Sequence, residues 1–92
     1  MYELYIITYM QHSEVENLIN FGKLVKKLRK QKSSSLNRIA FQRGGVTSAT
    51  LSRIENAQVD FKFSTLIRLA HTLDIPLTDL FKDYKYKTDF DN

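Results

Sequence analysis

Between Gly44 and Asn56 the chain reads GGVTSATLSRIEN, and no other stretch restricts the fold as much. Two glycines let the chain turn sharply at little steric cost. Thr47 then stands where a helix cap is wanted, and the pattern predicts a helix from there to about Asn56. Only Leu51 and Ile54 are spaced to face inward from that helix, with Val46 packing just before the cap. Spread at about 100° per residue, Ala49, Ser52, Arg53 and Asn56 point outward, with Thr47 and Ser48 at the exposed N-terminal end. Such a face is short and polar, and the rest of the chain has to explain what presents it.

The flanking segments are helical in period. Ser13 followed by Glu16 has the spacing of a capping box. Beyond it Leu18, Phe21, Val25 and Leu28, with Leu24 at the edge, recur at helical spacing as one apolar stripe. Gly22 inside that stripe predicts a bend or a break, with the helix starting again near Phe21. Lys23, Lys26, Lys27 and Lys30 fall opposite the stripe on the solvated face, whereas Arg29 flanks it, close enough to the core to need a fixed partner. Ser35 then caps a predicted helix of about two turns through Leu36, Ile39 and Ala40. After the Gly44 to Asn56 segment comes a loop, NAQVDF. Phe63, Leu66, Ile67, Leu69, Ala70 and Leu73 then mark a core helix that Asp74 ends. Pro76 opens a last short helix that buries Leu77, Leu80 and Phe81.

The two ends have another period. MYELYIITYM is rich in Tyr and Ile without helical spacing, and DYKYKTDFDN alternates Tyr84, Tyr86, Thr88 and Phe90 with charged residues, so both read as strands. An isolated strand leaves its backbone groups unpaired, so these two are expected to pair with each other or across a dimer. The organisation predicted is an N-terminal extension at 1–12, a helical domain at 13–82 and a strand-like tail at 83–92, with Met10 offering a second start.

Composition narrows the chemistry. A chain of 92 residues is one domain with a modest core. It has no cysteine, and His12 and His71 stand far apart without carboxylates at ligand spacing, so no metal site is expected. No nucleophile paired with a base and no glycine-rich phosphate loop appears, which argues against an enzyme and leaves no cofactor to expect. No apolar run approaches the roughly 20 residues of a membrane helix, and the start lacks the pattern of a signal peptide, so the expected location is the cytoplasm. The net charge of +4 is unevenly placed: residues 1–20 carry three acids and no Lys or Arg, while residues 21–32 carry six Lys or Arg and no acid.

In order, FGKLVKKLRKQK, SLNRIA, GVTSATLSRIENA and FSTLIRLAHTLDIPLTDLF resemble the lambda-repressor-like family of bacterial and phage regulators, the Cro and XRE type. The resemblance runs from Phe21 to Phe81. It implies an all-α fold, a compact five-helix DNA-binding domain, to which the terminal strands would be added. It also implies a sequence-specific transcriptional regulator, in most cases a repressor, that inserts helix 47–56 into the major groove of double-stranded DNA as a homodimer. The small outward side chains of that helix suit close approach to a groove, and its positive end suits a phosphate.

Base contacts are expected from Thr47, Ser48, Ala49, Ser52 and Arg53, with Arg53 able to bridge two guanine acceptors or to meet a phosphate. Phosphate contacts are expected from Ser35, Leu36, Asn37, Arg38, Arg43, Asn56, Gln58 and Lys62. By the same resemblance Arg29 and Glu55 form a structural ion pair. The chain departs from the family in having one more residue in the FQRGG turn, Leu36 where a glutamine is usual, Ala57 where a glycine is usual, and Phe61 where a proline is often found. The alternative reading is an antitoxin or a protein-interaction module that keeps the fold and uses the Tyr-rich termini as its interface.

Overall fold

From His12 to Lys32 the residues are good helix formers around a single glycine, and in the computed structural model they make one unbroken helix, α1. The structure describes residues 12–32 and 44–88. α1 turns Leu18, Phe21, Gly22, Val25 and Arg29 inward, the spacing of a single buried stripe. It begins at His12, one residue before the cap expected at Ser13, which is buried in its first turn.

The bend expected at Gly22 does not occur. A side chain there would begin 2.6 Å from the carbonyl oxygen of Ile54 and 2.7 Å from that of Glu55. The glycine is where another helix end comes flush against α1.

That second helix, α2, spans Ser48–Glu55, and α3 spans Phe63–Leu73. A 3-10 turn at Leu77–Leu80 takes the place of the last short helix, closed by the tighter i→i+3 bonds from Asp79 N–H to the Pro76 carbonyl and from Phe81 N–H to the Thr78 carbonyl. The described residues therefore hold three α-helices and one 3-10 turn, with no strand. The helix expected from Ser35 lies outside the described residues.

Phe21, Val25, Val46, Leu51, Ile54, Leu69, Ala70, Leu73 and Leu80 form the core. α3 contributes Leu69, Ala70 and Leu73, whereas Phe63 and Ile67, expected inside, are 68% and 48% exposed. They stand on the flank of that face at 100° per residue, so the inward side of α3 is narrower than its apolar pattern. Phe81, also expected inside, is partly exposed and lies stacked on Phe21.

Phe21 gathers the aromatic residues. Phe61 lies 5.4 Å from it and Phe81 5.5 Å, and Tyr84 meets it edge-on at 5.8 Å between ring centres. The tail expected as a strand forms none over Tyr84–Thr88. Asn17 holds it instead: its Oδ1 accepts from the Tyr84 hydroxyl at 2.6 Å and from the Lys87 backbone N–H at 2.9 Å, while its Nδ2 donates to the Lys87 carbonyl at 2.6 Å. Lys87 Nζ also reaches Glu16 at 2.8 Å. One side-chain amide thus gives the tail the pair of bonds that a neighbouring strand would have given. The N-terminal strand expected at residues 1–12 falls, but for His12, outside the described residues.

Candidate nucleic-acid interface

α2 is built from both ends inward. Thr47 is its N-cap in extended conformation; its Oγ1 accepts the Thr50 backbone N–H at 3.1 Å, and the hydroxyl donates to Thr50 Oγ1 at 3.0 Å. At the other end Gln58 N–H donates to the Arg53 carbonyl at 2.9 Å and Ala57 N–H to the Ile54 carbonyl at 3.2 Å. Those two bonds make a Schellman cap, in which Ala57 takes the left-handed conformation (φ 55°) that glycine usually fills.

Leu51 and Ile54 face inward, fully buried. On the outward side Thr47, Ala49, Arg53 and Asn56 are exposed, and Ser48 and Ser52 are half-buried beside them. Asn56 folds its amide back, donating to the Ser52 carbonyl at 2.9 Å and lying 3.4 Å from its hydroxyl. Arg53 is the one long cationic side chain on this face of α2. Lys62 is exposed where α3 begins, and Gln58 is half-buried in the loop between the two helices. Ser35, Leu36, Asn37, Arg38 and Arg43 lie outside the described residues.

What aims α2 is the contact with α1. Arg29 donates from Nε to Glu55 Oε2 at 2.6 Å and from Nη2 to Oε1 at 3.1 Å, and the two side chains are only 8% and 4% exposed. A bidentate pair of this kind fixes direction as well as distance. Gly22 sits beside it, letting the last carbonyls of α2 touch the α1 backbone surface. The pair and the glycine together fix the C-terminal end of α2, leaving its polar face turned away from α1.

At the N-terminal end the approach is through Gly44 and Val46. Gly44 takes φ 82°, a left-handed value, with the His71 ring 3.7 Å from where a side chain would start. Val46 is buried, and its N–H donates to Thr72 Oγ1 at 2.9 Å. Sequence reasoning passed over Thr72 and read Gly22 only as a breaker. The signal for Thr72 is its place in an apolar helix: a hydroxyl between Ala70 and Leu73 needs a partner.

Elsewhere, Lys23, Lys26, Lys27 and Lys30 are exposed along an open, shallow surface on α1 that Gln31 completes. Among the described residues no group of His, Cys, Asp or Glu is placed to hold a metal ion. No described helix is long and apolar enough to cross a membrane.

Compared with known proteins, residues 22–85 match the family model of a helix-turn-helix domain. No curated protein matches the chain. The matched span takes in α2, α3, the 3-10 turn, Tyr84 and all of α1 from Gly22 onward.

Proposed function

The chain belongs to a Cro/XRE-type helix-turn-helix family, and on that premise we propose that it is a sequence-specific DNA-binding regulator, acting as a repressor, with α2 as its recognition helix. The observation that carries the reading is the exposed polar face of α2, with Arg53 on it, standing clear of the contacts that Arg29 and Gly22 make with the helix end. Thr47 and Ala49 are small enough to let the helix backbone approach base edges, and Arg53 supplies the donor fork that bridges guanine O6 and N7. Ser48 and Ser52 complete the base-facing row. Asn56, Gln58 and Lys62 are assigned to phosphates on one side of the groove, and Ser35, Leu36, Asn37, Arg38 and Arg43 to phosphates on the other.

One domain of this size offers little contact area, so the functional unit is a homodimer on a palindrome whose half-sites lie about 34 Å apart. Its action is binding rather than catalysis, in the cytoplasm where its DNA is. The test is fluorescence anisotropy on a duplex that the protein enriches from a randomised pool, beside a scrambled duplex, across a salt series. The enriched duplex is expected to bind at least about a hundredfold more tightly, with affinity falling steeply in salt and Arg53→Ala erasing preference more than affinity. Equal, weak binding to both duplexes with no effect of Arg53→Ala would sink the reading.

A second reading, a protein-interaction module, is favoured by one observation. Tyr86 is 74% exposed on the tail that Asn17 holds, an aromatic side chain presented rather than packed. It requires partner binding that Tyr86→Ala weakens and Arg53→Ala does not.

A further inference from the structure

Two consecutive glycines precede the buried Val46, so the lead into α2 runs through the least restrained backbone in the chain. Gly44 is already in a left-handed conformation that most residues avoid. A helix hung from such a hinge has its direction set by whatever grips the first residue after the glycines. Val46 is that residue. It is gripped twice, by burial of its side chain in the core and by its N–H donating to Thr72 Oγ1 at 2.9 Å.

Thr72 is 1% exposed on the inward side of α3, beside Leu69, Ala70 and Leu73. Packing alone would be served as well there by valine, which has the same shape. The hydroxyl is what differs, and both of its capacities are in use: it donates to the Arg68 carbonyl one turn back at 2.9 Å while accepting from Val46. The back-bond fixes the hydroxyl hydrogen on Arg68, which leaves a lone pair aimed at Val46. No part of this bond belongs to the outward face of α2. It lies two residues before the helix starts.

We infer that Thr72 is a positioning residue for DNA readout: from α3 it fixes Val46, and through Val46 the angle at which Thr47, Ser48 and Ala49 meet the bases. This rests on the DNA-binding reading of α2. With Arg29 fixing the far end, the recognition helix is held at both ends by side chains that touch no DNA, one from α1 and one from α3.

Thr72→Val and Thr72→Ser separate positioning from packing. Valine keeps the shape and removes the acceptor, leaving a buried N–H unpaired; serine keeps the hydroxyl and removes a methyl group. Anisotropy is read well below each variant's melting temperature, on the duplex enriched by the wild-type protein and on a scrambled one. Thr72→Val is expected to lower the preference between the two duplexes by on the order of tenfold, as a displaced base contact does, while the salt slope set by phosphate contacts stays. Thr72→Ser is expected to restore the preference even where its melting temperature stays low. A folded Thr72→Val protein with wild-type preference overturns the inference.

If Thr72→Val does not fold, amide exchange of the wild-type protein decides. Val46 N–H is expected to exchange as slowly as the amides of α3, and fast exchange at Val46 overturns the inference. Wild-type protein that prefers no duplex removes the DNA reading and with it the role of Thr72 in readout, and slow exchange at Val46 would then show that the clamp exists without that use.

Discussion

Arg29 and Glu55 lie 26 residues apart in sequence and meet through two parallel hydrogen bonds at 2.6 and 3.1 Å, with both side chains almost wholly withdrawn from water. Removing one member strands the other. Arg29→Ala is expected to destabilise the protein by about 3 kcal/mol, because an unpaired buried carboxylate remains. Replacing both residues by leucine is expected to cost far less, since no charge is then left buried. Urea unfolding of the single and double variants measures the difference, and equal losses would mean that the pair acts only through packing.

Gly22→Ala sets two effects against each other. Alanine favours the helical state by about 1 kcal/mol. Its Cβ would stand 2.6 Å from one backbone oxygen of α2 and 2.7 Å from the next, and neither can swing away as a side chain would. The clash is expected to win, giving a net loss of about 1–2 kcal/mol in thermal unfolding. A gain in stability would show that α2 can retreat from α1 at no cost.

Ala57 holds the left-handed conformation that closes α2, and an L side chain there is strained by about 1–2 kcal/mol. Glycine relieves the strain but makes the unfolded chain freer, at a cost of about 0.4–1 kcal/mol. Ala57→Gly is therefore expected to raise stability by roughly 0.5–1 kcal/mol. Asp74 has the same φ of 55° at the end of α3, and since aspartate tolerates that region better, Asp74→Gly is expected to gain less. Melting temperatures of the two variants give the ranking.

Burial raises the Tyr84 phenol above its ordinary value near 10. The fold favours the neutral form, whose hydroxyl donates to Asn17. The stability this contributes is fully present below the unfolded value and is lost as pH rises past it toward the folded one. Thermal unfolding between about pH 8 and about pH 11 is expected to show an alkaline fall in stability that is shallower in Tyr84→Phe. Identical slopes would mean that Tyr84 titrates as freely in the fold as in the unfolded chain.

The helices of the described residues could be read from sequence because periodicity and capping are local. Thr47 and Asp74 bound their helices where residue type alone suggests, and Leu51 and Ile54 announce the inward side of α2. What could not be read depends on a second element arriving. Gly22 carries the same local signal whether it breaks a helix or admits a neighbour, and only the carbonyls of Ile54 and Glu55 decide between the two. The alternation in the tail is compatible with a strand, yet over the described residues Asn17 on α1 takes the backbone N–H and carbonyl of Lys87 instead. Phe63 and Ile67 show the limit of hydropathy, since both continue an apolar pattern beyond the width of face that α3 buries. In the site, the outward residues of α2 follow from the wheel, whereas the bond from Val46 to Thr72 joins residues 26 apart and leaves no local trace.

The rings around Phe21 have a consequence for the order in which the molecule is made. Phe61, Phe81 and Tyr84 all follow it by 40 residues or more. A ribosome adds the residues of α1 and α2 before the last of these rings is in the chain. During that interval α1 has an unfinished apolar side of its own. A chain cut short before Tyr84 therefore carries α2 without the ring that closes the core behind it.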